Sequence, residues 1–240
     1  MSGATTTGWL EASVRAARRA TRAARVIELD VPGWAGSRAG QHIDVRLTAE
    51  DGYQAVRSYS LASFGDAAIE LAVVELPDGE VSPYLVETIE EGDLLEVRGP
   101  IGGYFVWHPG IASPVQLIGG GSGIVPLVAI ARAHVGHASR MRLLYSVRSP
   151  ADALYLDELR ALESDTFGVD VFYTRLAPAG STRAPRRIDA AELAAHTLAP
   201  ETAPIVYVCG PTAFVEATAN GLVAAGHPAG SVLTERFGGA

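Results

Sequence analysis

The pattern of apolar residues changes near residue 110, and this change divides the chain into two parts that cannot share one architecture. Before it, short segments such as 26–31, 42–47 and 69–74 alternate apolar with polar residues between turn signals. After it, apolar segments alternate with stretches rich in alanine and leucine. A period of two indicates strands with one solvated face, whereas strand–helix alternation indicates a buried parallel sheet. We therefore predict two domains, 1–110 and 111–240.

The first part predicts a small antiparallel β-barrel of about six strands, because its alternating segments are short and regularly spaced. One helical stretch, 82–89, interrupts it. The second part predicts a Rossmann-like, doubly wound parallel sheet. Its expected strands are 115–118, 141–145, 169–173 and 205–208. Its expected helices are 126–135, 154–163, 190–196 and 213–225.

Composition argues against several classes of protein. No run of about 18 apolar residues occurs, so we expect no membrane span. The net charge of −8 argues against nucleic acid, whose phosphates require a basic surface. The single cysteine, Cys209, excludes an internal disulfide and any iron–sulfur or all-cysteine zinc centre, and we predict no metal site. The start of the chain lacks a signal-peptide pattern, which predicts a cytoplasmic protein. We interpret the arginines of 15–25 as a solvated strand face rather than as a targeting segment.

A glycine-rich segment directly between a predicted strand and a predicted helix gives the clearest nucleotide signal. It comprises Gly119, Gly120, Gly121, Ser122 and Gly123. Glycines let the backbone approach a pyrophosphate closely, and the free N–H groups at a helix start favour anions. A glycine-rich turn that only packs is the alternative.

Further candidates follow the later strands, whose carboxyl ends form the ligand-binding edge of such a sheet. Ser146 and Arg148 stand where an NAD site usually offers an acidic residue, so they favour a 2′-phosphate and hence NADPH over NADH. Arg175 is either a second phosphate ligand or a solvated arginine. Cys209, with Gly210 and Pro211, ends the last predicted strand, and a small buried apolar role is its alternative.

In the predicted barrel, Arg57 and Tyr59 share one face of a strand because side chains alternate along it. A cation and an aromatic ring on one face can clamp a phosphate and stack on the same ligand. Simple packing of the tyrosine is the alternative.

Five motifs taken together carry a resemblance to a known family. They are Arg57-x-Tyr59-Ser60, Gly79-x-x-Ser82, Gly99-Pro100-x-Gly102-x-x-Phe105, the loop 119–126 and Cys209-Gly210-Pro211. In this order they resemble the ferredoxin-NADP reductase superfamily over roughly residues 10–238. The chain looks closest to bacterial oxygenase-type reductases that lack the iron–sulfur domain.

This resemblance implies a flavin between barrel and sheet, and FAD is favoured over FMN because the Gly79-x-x-Ser82 turn suits a second phosphate. Arg57 would then bind the flavin phosphate, Tyr59 would stack on the ring, and Ser60 would hydrogen-bond near N5. Gly79, Val81 and Ser82 would open a helix that receives the flavin phosphates. The backbone of 119–123 would hold the nicotinamide pyrophosphate, and Cys209 would sit beside the nicotinamide. In the final segment, Glu235 would approach the flavin and Phe237 would cover its ring.

The predicted function is a flavin-dependent oxidoreductase that takes hydride from NADPH or NADH onto FAD. It would pass electrons to a separate redox protein of the ferredoxin, haem or flavodoxin type. We expect Ser60, Cys209 and Glu235 nearest to the transfer. Two alternatives stay open: a reductase that uses free flavin as substrate, and a non-catalytic flavin- or nucleotide-binding subunit of a larger complex.

Overall fold

A computed structural model of the chain describes residues 8–66 and 68–237. The chain divides into two compact units, Met1–Trp107 and His108–Ala240, which we treat separately. The outermost residues of the two predicted domains, 1–7 and 238–240, lie outside the described part of the chain.

Six antiparallel strands form the first unit, as the alternating pattern predicts. They are β1 (Leu10–Thr21), β2 (Ala24–Asp30), β3 (His42–Thr48), β4 (Gln54–Ser60), β5 (Ile69–Val74) and β6 (Leu94–Ile101). Their order in the sheet is β4-β3-β6-β1-β2-β5. A bridge between Leu61, just after β4, and Leu71 in β5 brings the two edge strands together. This contact curls the sheet toward the expected barrel.

The core of the first unit is built from alternate residues of these strands, as the period of two requires. In β3, for example, Ile43 and Val45 are fully buried. Of the arginines of 15–25, Arg15, Arg18, Arg19 and Arg22 are exposed, as a solvated strand face requires, whereas Arg25 in β2 is partly buried. The predicted helical stretch forms a π-helical turn, Tyr84–Thr88, whose Leu85 and Val86 pack into the core.

The second unit is a parallel five-stranded sheet with helices between its strands, and this confirms the predicted fold class. Its strands are β7 (Val115–Gly120), β8 (Met141–Val147), β9 (Phe167–Tyr173), β10 (Ile205–Pro211) and β11 (Val232–Phe237). Its helices are α1 (Ile124–His134), α2 (Leu156–Ala161), α3 (Ala190–His196) and α4 (Thr212–Ala224). The order of strands is β11-β10-β7-β8-β9.

The fifth strand, β11, was not among the expected strands. It lies at one edge of the sheet, pairs with β10 alone and has no fully buried residue. An edge strand needs no continuous apolar run, so its sequence lacks the signal that marks the buried strands.

None of the helices within 8–66 and 68–237 is both long and apolar enough to cross a membrane. The same residues contain no group of three or more His, Cys, Asp or Glu side chains placed to hold a metal ion.

Candidate functional site

Strand register in the second unit brings most of the predicted nucleotide-binding residues to one edge of the sheet. Gly119 of β7 pairs with Cys209 of β10, and Gly120 pairs with Ser146 of β8. Cys209 in turn pairs with Glu235 of β11. All five residues lie toward the carboxyl ends of parallel strands, where open α/β sheets bind their ligands.

The glycine loop connects β7 to α1 through a single 3-10 turn, Gly121–Gly123. A Cβ atom at Gly123 would lie 2.1 Å from the carbonyl oxygen of Cys209, so only glycine allows the loop to pack against β10. Gly121 differs, because it has a φ of +56° and a Cβ there would meet nothing within 4 Å. Gly123 is therefore required by packing, whereas Gly121 has a left-handed backbone with open space beside it.

The start of α1 suits an anion. This helix has 11 residues, its first turn holds no acidic residue, and no side chain caps its N–H groups. Ile124 N–H already donates to the Gly121 and Ser122 carbonyls, and Pro126 has no N–H, so the positive end of the helix dipole is what favours phosphate oxygens here. The residues present therefore fit the pyrophosphate of a nicotinamide dinucleotide.

Cys209 is fully buried. Burial, with a further contribution from the Glu235 carboxylate, raises the pKa of its thiol well above the ordinary value. The side chain is therefore a neutral thiol at physiological pH, which argues against a nucleophilic role. Its placement beside the nicotinamide stays a prediction.

Glu235 is partly buried on β11, and burial raises the pKa of its carboxyl to about 7. A carboxyl with this pKa changes its charge near neutral pH, which is the range in which a proton donor or acceptor is useful. Phe237, two residues further along, is half-buried and pairs with Pro211.

Two arginines lie next to each other beyond β8 and β9. The Arg175 N–H donates to the Arg148 carbonyl at 2.9 Å, and both side chains are exposed. Neither guanidinium has an ion-pair partner within the described part of the chain, whereas Arg183 and Arg186 are both paired with Glu192. The Ser146 side chain, 8% exposed, makes no hydrogen bond with another described residue. Two unpaired cations and a hydroxyl fit a 2′-phosphate.

In the first unit, β4 pairs with β3 without a bulge, so Arg57 and Tyr59 do lie on one face. Tyr59 packs its ring partly against the core, and burial raises the pKa of its phenol to about 12. A neutral, half-buried ring at the border of the core is suited to stacking on a flat ligand.

Ser60 ends β4 and is 8% exposed. Its hydroxyl makes no hydrogen bond to any other residue that the structure describes. A nearly buried hydroxyl without a protein partner favours a ligand that supplies the missing bond. This observation fits a flavin edge, although the contact with N5 stays a prediction.

The turn that follows β5 offers main-chain donors. The Ser82 hydroxyl accepts a hydrogen bond from Leu76 N–H at 3.0 Å, and Gly79 N–H donates to the Leu76 carbonyl at 2.8 Å. The N–H groups of Glu80, Val81 and Ser82 donate to no other described residue. The Val81 side chain is fully buried, so it can offer a ligand only its backbone.

The π-helical turn after this segment has only five residues. Such a short helix has a weak dipole, so the expected phosphate contact at its start rests on the loop N–H groups instead. These donors fit the phosphates of FAD without any help from a helix end.

Two residues beside Arg57 were missed by sequence reasoning. Glu80 forms an ion pair with Arg57 Nη2 and accepts a hydrogen bond from the Tyr53 hydroxyl at 2.7 Å. No spacing rule links a strand residue to an acid in a turn that follows the next strand. The only available signal was an acidic side chain inside the motif Gly79-x-x-Ser82.

Comparison with known proteins finds a different domain in each of the two units of the chain. An oxidoreductase FAD-binding domain matches residues 12–106, and an oxidoreductase NAD-binding domain matches residues 117–220. NADH-cytochrome b5 reductase 1 of Aspergillus terreus is 32% identical, over 74% of this chain and 64% of the relative. The reductase component of propane 2-monooxygenase from Mycolicibacterium smegmatis is 30% identical, over 86% of this chain and 60% of the relative.

Among solved structures, the Amycolatopsis cytochrome P450 reductase GcoB is similar, with a TM-score of 0.84 and 25% identity over 96% of this chain and 70% of that chain. The chain thus spans less than two thirds of the length of the curated relatives given above. The two domain matches nevertheless cover most of it. The chain belongs to the ferredoxin reductase-like family of oxidoreductases, with one FAD-binding and one NAD-binding domain.

Proposed function

We propose that this protein is a flavoprotein reductase that takes hydride from NADPH or NADH onto FAD and passes electrons to a separate redox protein. The observation that carries the proposal is that one chain joins two ligand sites of different chemistry. One is built around Arg57, Tyr59 and Ser60, and the other follows the carboxyl edge of a parallel sheet. When bound, FAD supplies the step from a two-electron donor to one-electron acceptors.

Each unit contributes binding and orientation. In the first, Arg57 and the N–H groups of the turn after β5 hold the flavin phosphates. Tyr59 packs against the ring, and Ser60 hydrogen-bonds to its edge. In the second, the glycine loop and the start of α1 would hold the pyrophosphate, and Cys209 and Glu235 would line the place of the nicotinamide. Glu235 is in addition a proton-exchanging group near neutral pH.

We further propose that NADPH is the preferred donor. Arg148 and Arg175 lie side by side, exposed and without acidic partners in the described ranges. Charge-assisted hydrogen bonds to a phosphate are stronger than those to a hydroxyl, so this pair favours the 2′-phosphate of NADPH over the bare ribose of NADH.

The acceptor in this proposal is another protein. The chain has one cysteine and so cannot hold an iron–sulfur cluster of its own. The relatives named above are a cytochrome b5 reductase and the reductase component of a monooxygenase. We infer an acceptor of the haem, iron–sulfur or flavodoxin type. The cytoplasmic location stays a prediction.

A second candidate, a reductase that releases flavin as a product, is favoured by one observation. The guanidinium proposed to bind the flavin phosphate already has a carboxylate partner, Glu80, in the same unit. A phosphate must compete with that carboxylate, which weakens retention of the flavin.

Steady-state reduction of ferricyanide, an artificial one-electron acceptor, tests the proposed activity. FAD-loaded protein should reduce ferricyanide when NADPH is added, with a higher kcat/KM than for NADH. Protein loaded with FAD that shows no donor-dependent reduction would contradict the proposal. Activity that continues only while free flavin is present in excess would favour the second candidate.

A further inference from the structure

We propose that the Glu80 side chain is a built-in competitor for the flavin phosphate, which occupies Arg57 in the free protein and lowers the affinity for FAD. This inference rests on the proposed function, because it assigns Arg57 to the flavin phosphate. Its neighbours Gly79, Val81 and Ser82 would favour binding of the flavin phosphates, whereas Glu80 would oppose it.

Both terminal nitrogens of Arg57 already make a hydrogen bond within the first unit. Nη2 is paired with Glu80 Oε2, and Nη1 donates to the Val56 carbonyl at 2.8 Å. The other carboxylate oxygen of Glu80 accepts from the Tyr53 hydroxyl at 2.7 Å. The guanidinium thus already holds an anion supplied by the chain itself, and a phosphate bound at Arg57 would share the guanidinium with that carboxylate.

The carboxylate carries its charge under ordinary conditions. Hydrogen bonds from Tyr53 and Arg57 hold the pKa of Glu80 below its usual value. The unpaired N–H groups of Glu80, Val81 and Ser82 would bring a phosphate onto the same turn as this negative charge. Two anions at one guanidinium repel each other, so the carboxylate weakens the contact of a phosphate with Arg57.

The pair is also weak enough to be displaced. The side chains of Arg57 and Glu80 are 49% and 47% exposed, so water screens their attraction. A carboxylate on a flexible, solvated side chain can therefore swing aside when a phosphate arrives. The cost is a lower affinity rather than a blocked site.

Glu80→Gln tests the proposal, because glutamine keeps the size and the acceptor for Tyr53 but removes the charge. Asp78→Asn is the matched control: it removes one charge from the same turn, and the Asp78 side chain makes no hydrogen bond or ion pair with another described residue. Titration of flavin-free protein with FAD, followed by quenching of flavin fluorescence, gives the Kd of each variant. Riboflavin, which lacks a phosphate, is the second probe.

Loss of a competing surface ion pair and of like-charge repulsion should tighten FAD binding by about three- to tenfold in Glu80→Gln. Asp78→Asn should change the Kd for FAD less than about twofold, since the charge removed is screened by solvent and is not paired with Arg57. The affinity for riboflavin should be the same in all three proteins.

An unchanged or weaker FAD affinity in Glu80→Gln would overturn the inference while leaving the proposed function intact. An equal gain in Asp78→Asn, or an equal gain for riboflavin, would also overturn it, because the effect would not depend on Arg57 and phosphate. If neither flavin binds to any of the proteins, the proposed function itself fails, and the inference fails with it.

Discussion

The two candidate sites hold their ligands by different means. In the first unit the proposed ligand contacts combine loop N–H groups with side chains, and of these side chains Arg57, with its partner Glu80, is about half exposed and can exchange partners. In the second unit the central contacts are made by backbone, and Gly123 lies so close to Cys209 that no side chain fits between them.

The difference shows which residues of each site can be substituted without disturbing the fold. Exposed charged side chains in a strand and a turn can alter affinity without altering the fold, because surface contacts contribute little to stability. A backbone loop packed against a buried strand joins binding to folding, so a change there affects both. We therefore expect graded effects in the first unit and abrupt ones at the sheet edge.

The largest effect is expected at Gly123. In Gly123→Ala the new Cβ would lie 2.1 Å from the Cys209 carbonyl oxygen. The loop must move away from β10, which should lower the free energy of unfolding by about 3 kcal/mol and weaken NADPH binding by about 100-fold or more. Thermal unfolding and a binding titration measure the two effects.

Gly121→Asn is the matched control for this prediction. It lies in the same loop, a Cβ there meets nothing within 4 Å, and asparagine tolerates its φ of +56°. We expect it to weaken NADPH binding while the unfolding temperature changes little. A Gly123→Ala protein with normal stability would contradict the contrast between the two sites.

The next largest effect is expected at Arg57. Arg57→Ala removes the phosphate-binding cation from an exposed position, so the Kd for FAD should rise by about 10- to 100-fold while stability is retained. Fluorescence titration with FAD measures the change. Arg15→Ala, another exposed arginine of the same unit, should leave the Kd unchanged. A variant that keeps full flavin occupancy would remove Arg57 from the site.

A smaller effect is expected on donor choice. Arg148→Asp should raise the KM for NADPH by about 10-fold, since a charge-assisted phosphate contact is replaced by repulsion, and should change the KM for NADH much less. Arg140 lies before the first residue of β8, at the opposite end of that strand, and Arg140→Asp is the control. Equal changes for both donors in Arg148→Asp would contradict the assignment.

The smallest effect concerns pH and tests how well the sheet edge excludes water. Burial raises the pKa of Glu235 from 4.5 to about 7. Between pH 4.5 and pH 7 the folded protein therefore keeps a proton on this carboxyl that the unfolded protein has released. The stability contributed by this group is present below pH 4.5 and is lost as the pH rises through 7.

Relative to wild type, Glu235→Gln should therefore gain about 1–2 kcal/mol of stability between pH 5 and pH 8. All other ionisable groups are the same in both proteins, so the difference between the two unfolding curves isolates Glu235. Parallel pH dependence of the two proteins would show that Glu235 is solvated.

Sequence patterns predicted the regular parts of this fold and the glycine loop. Strands β7, β8 and β10 appear as apolar runs because they are buried on both faces, and α3 was predicted at the residues it occupies. Strand β9, at one edge, still buries three apolar residues and was predicted, whereas β11, at the other edge, has no fully buried residue and was missed. Alternation along β4 placed Arg57 and Tyr59 on one face correctly.

The Arg57–Glu80 pair could not be predicted in the same way. The two residues belong to a strand and to a turn after the next strand, and only the curl of the sheet brings them together. A motif identifies residues suited to a ligand, but it does not show which charges within the chain compete for them.

The absorbance spectrum of the purified, FAD-supplemented protein tests the central claim most directly, with NADPH and then NADH added under anaerobic conditions. Bound flavin should give bands near about 370 and 450 nm, and the band near about 450 nm should bleach with either donor, faster with NADPH. Flavin bands that persist after both additions would contradict the account and would indicate a flavin-binding subunit without reductase activity.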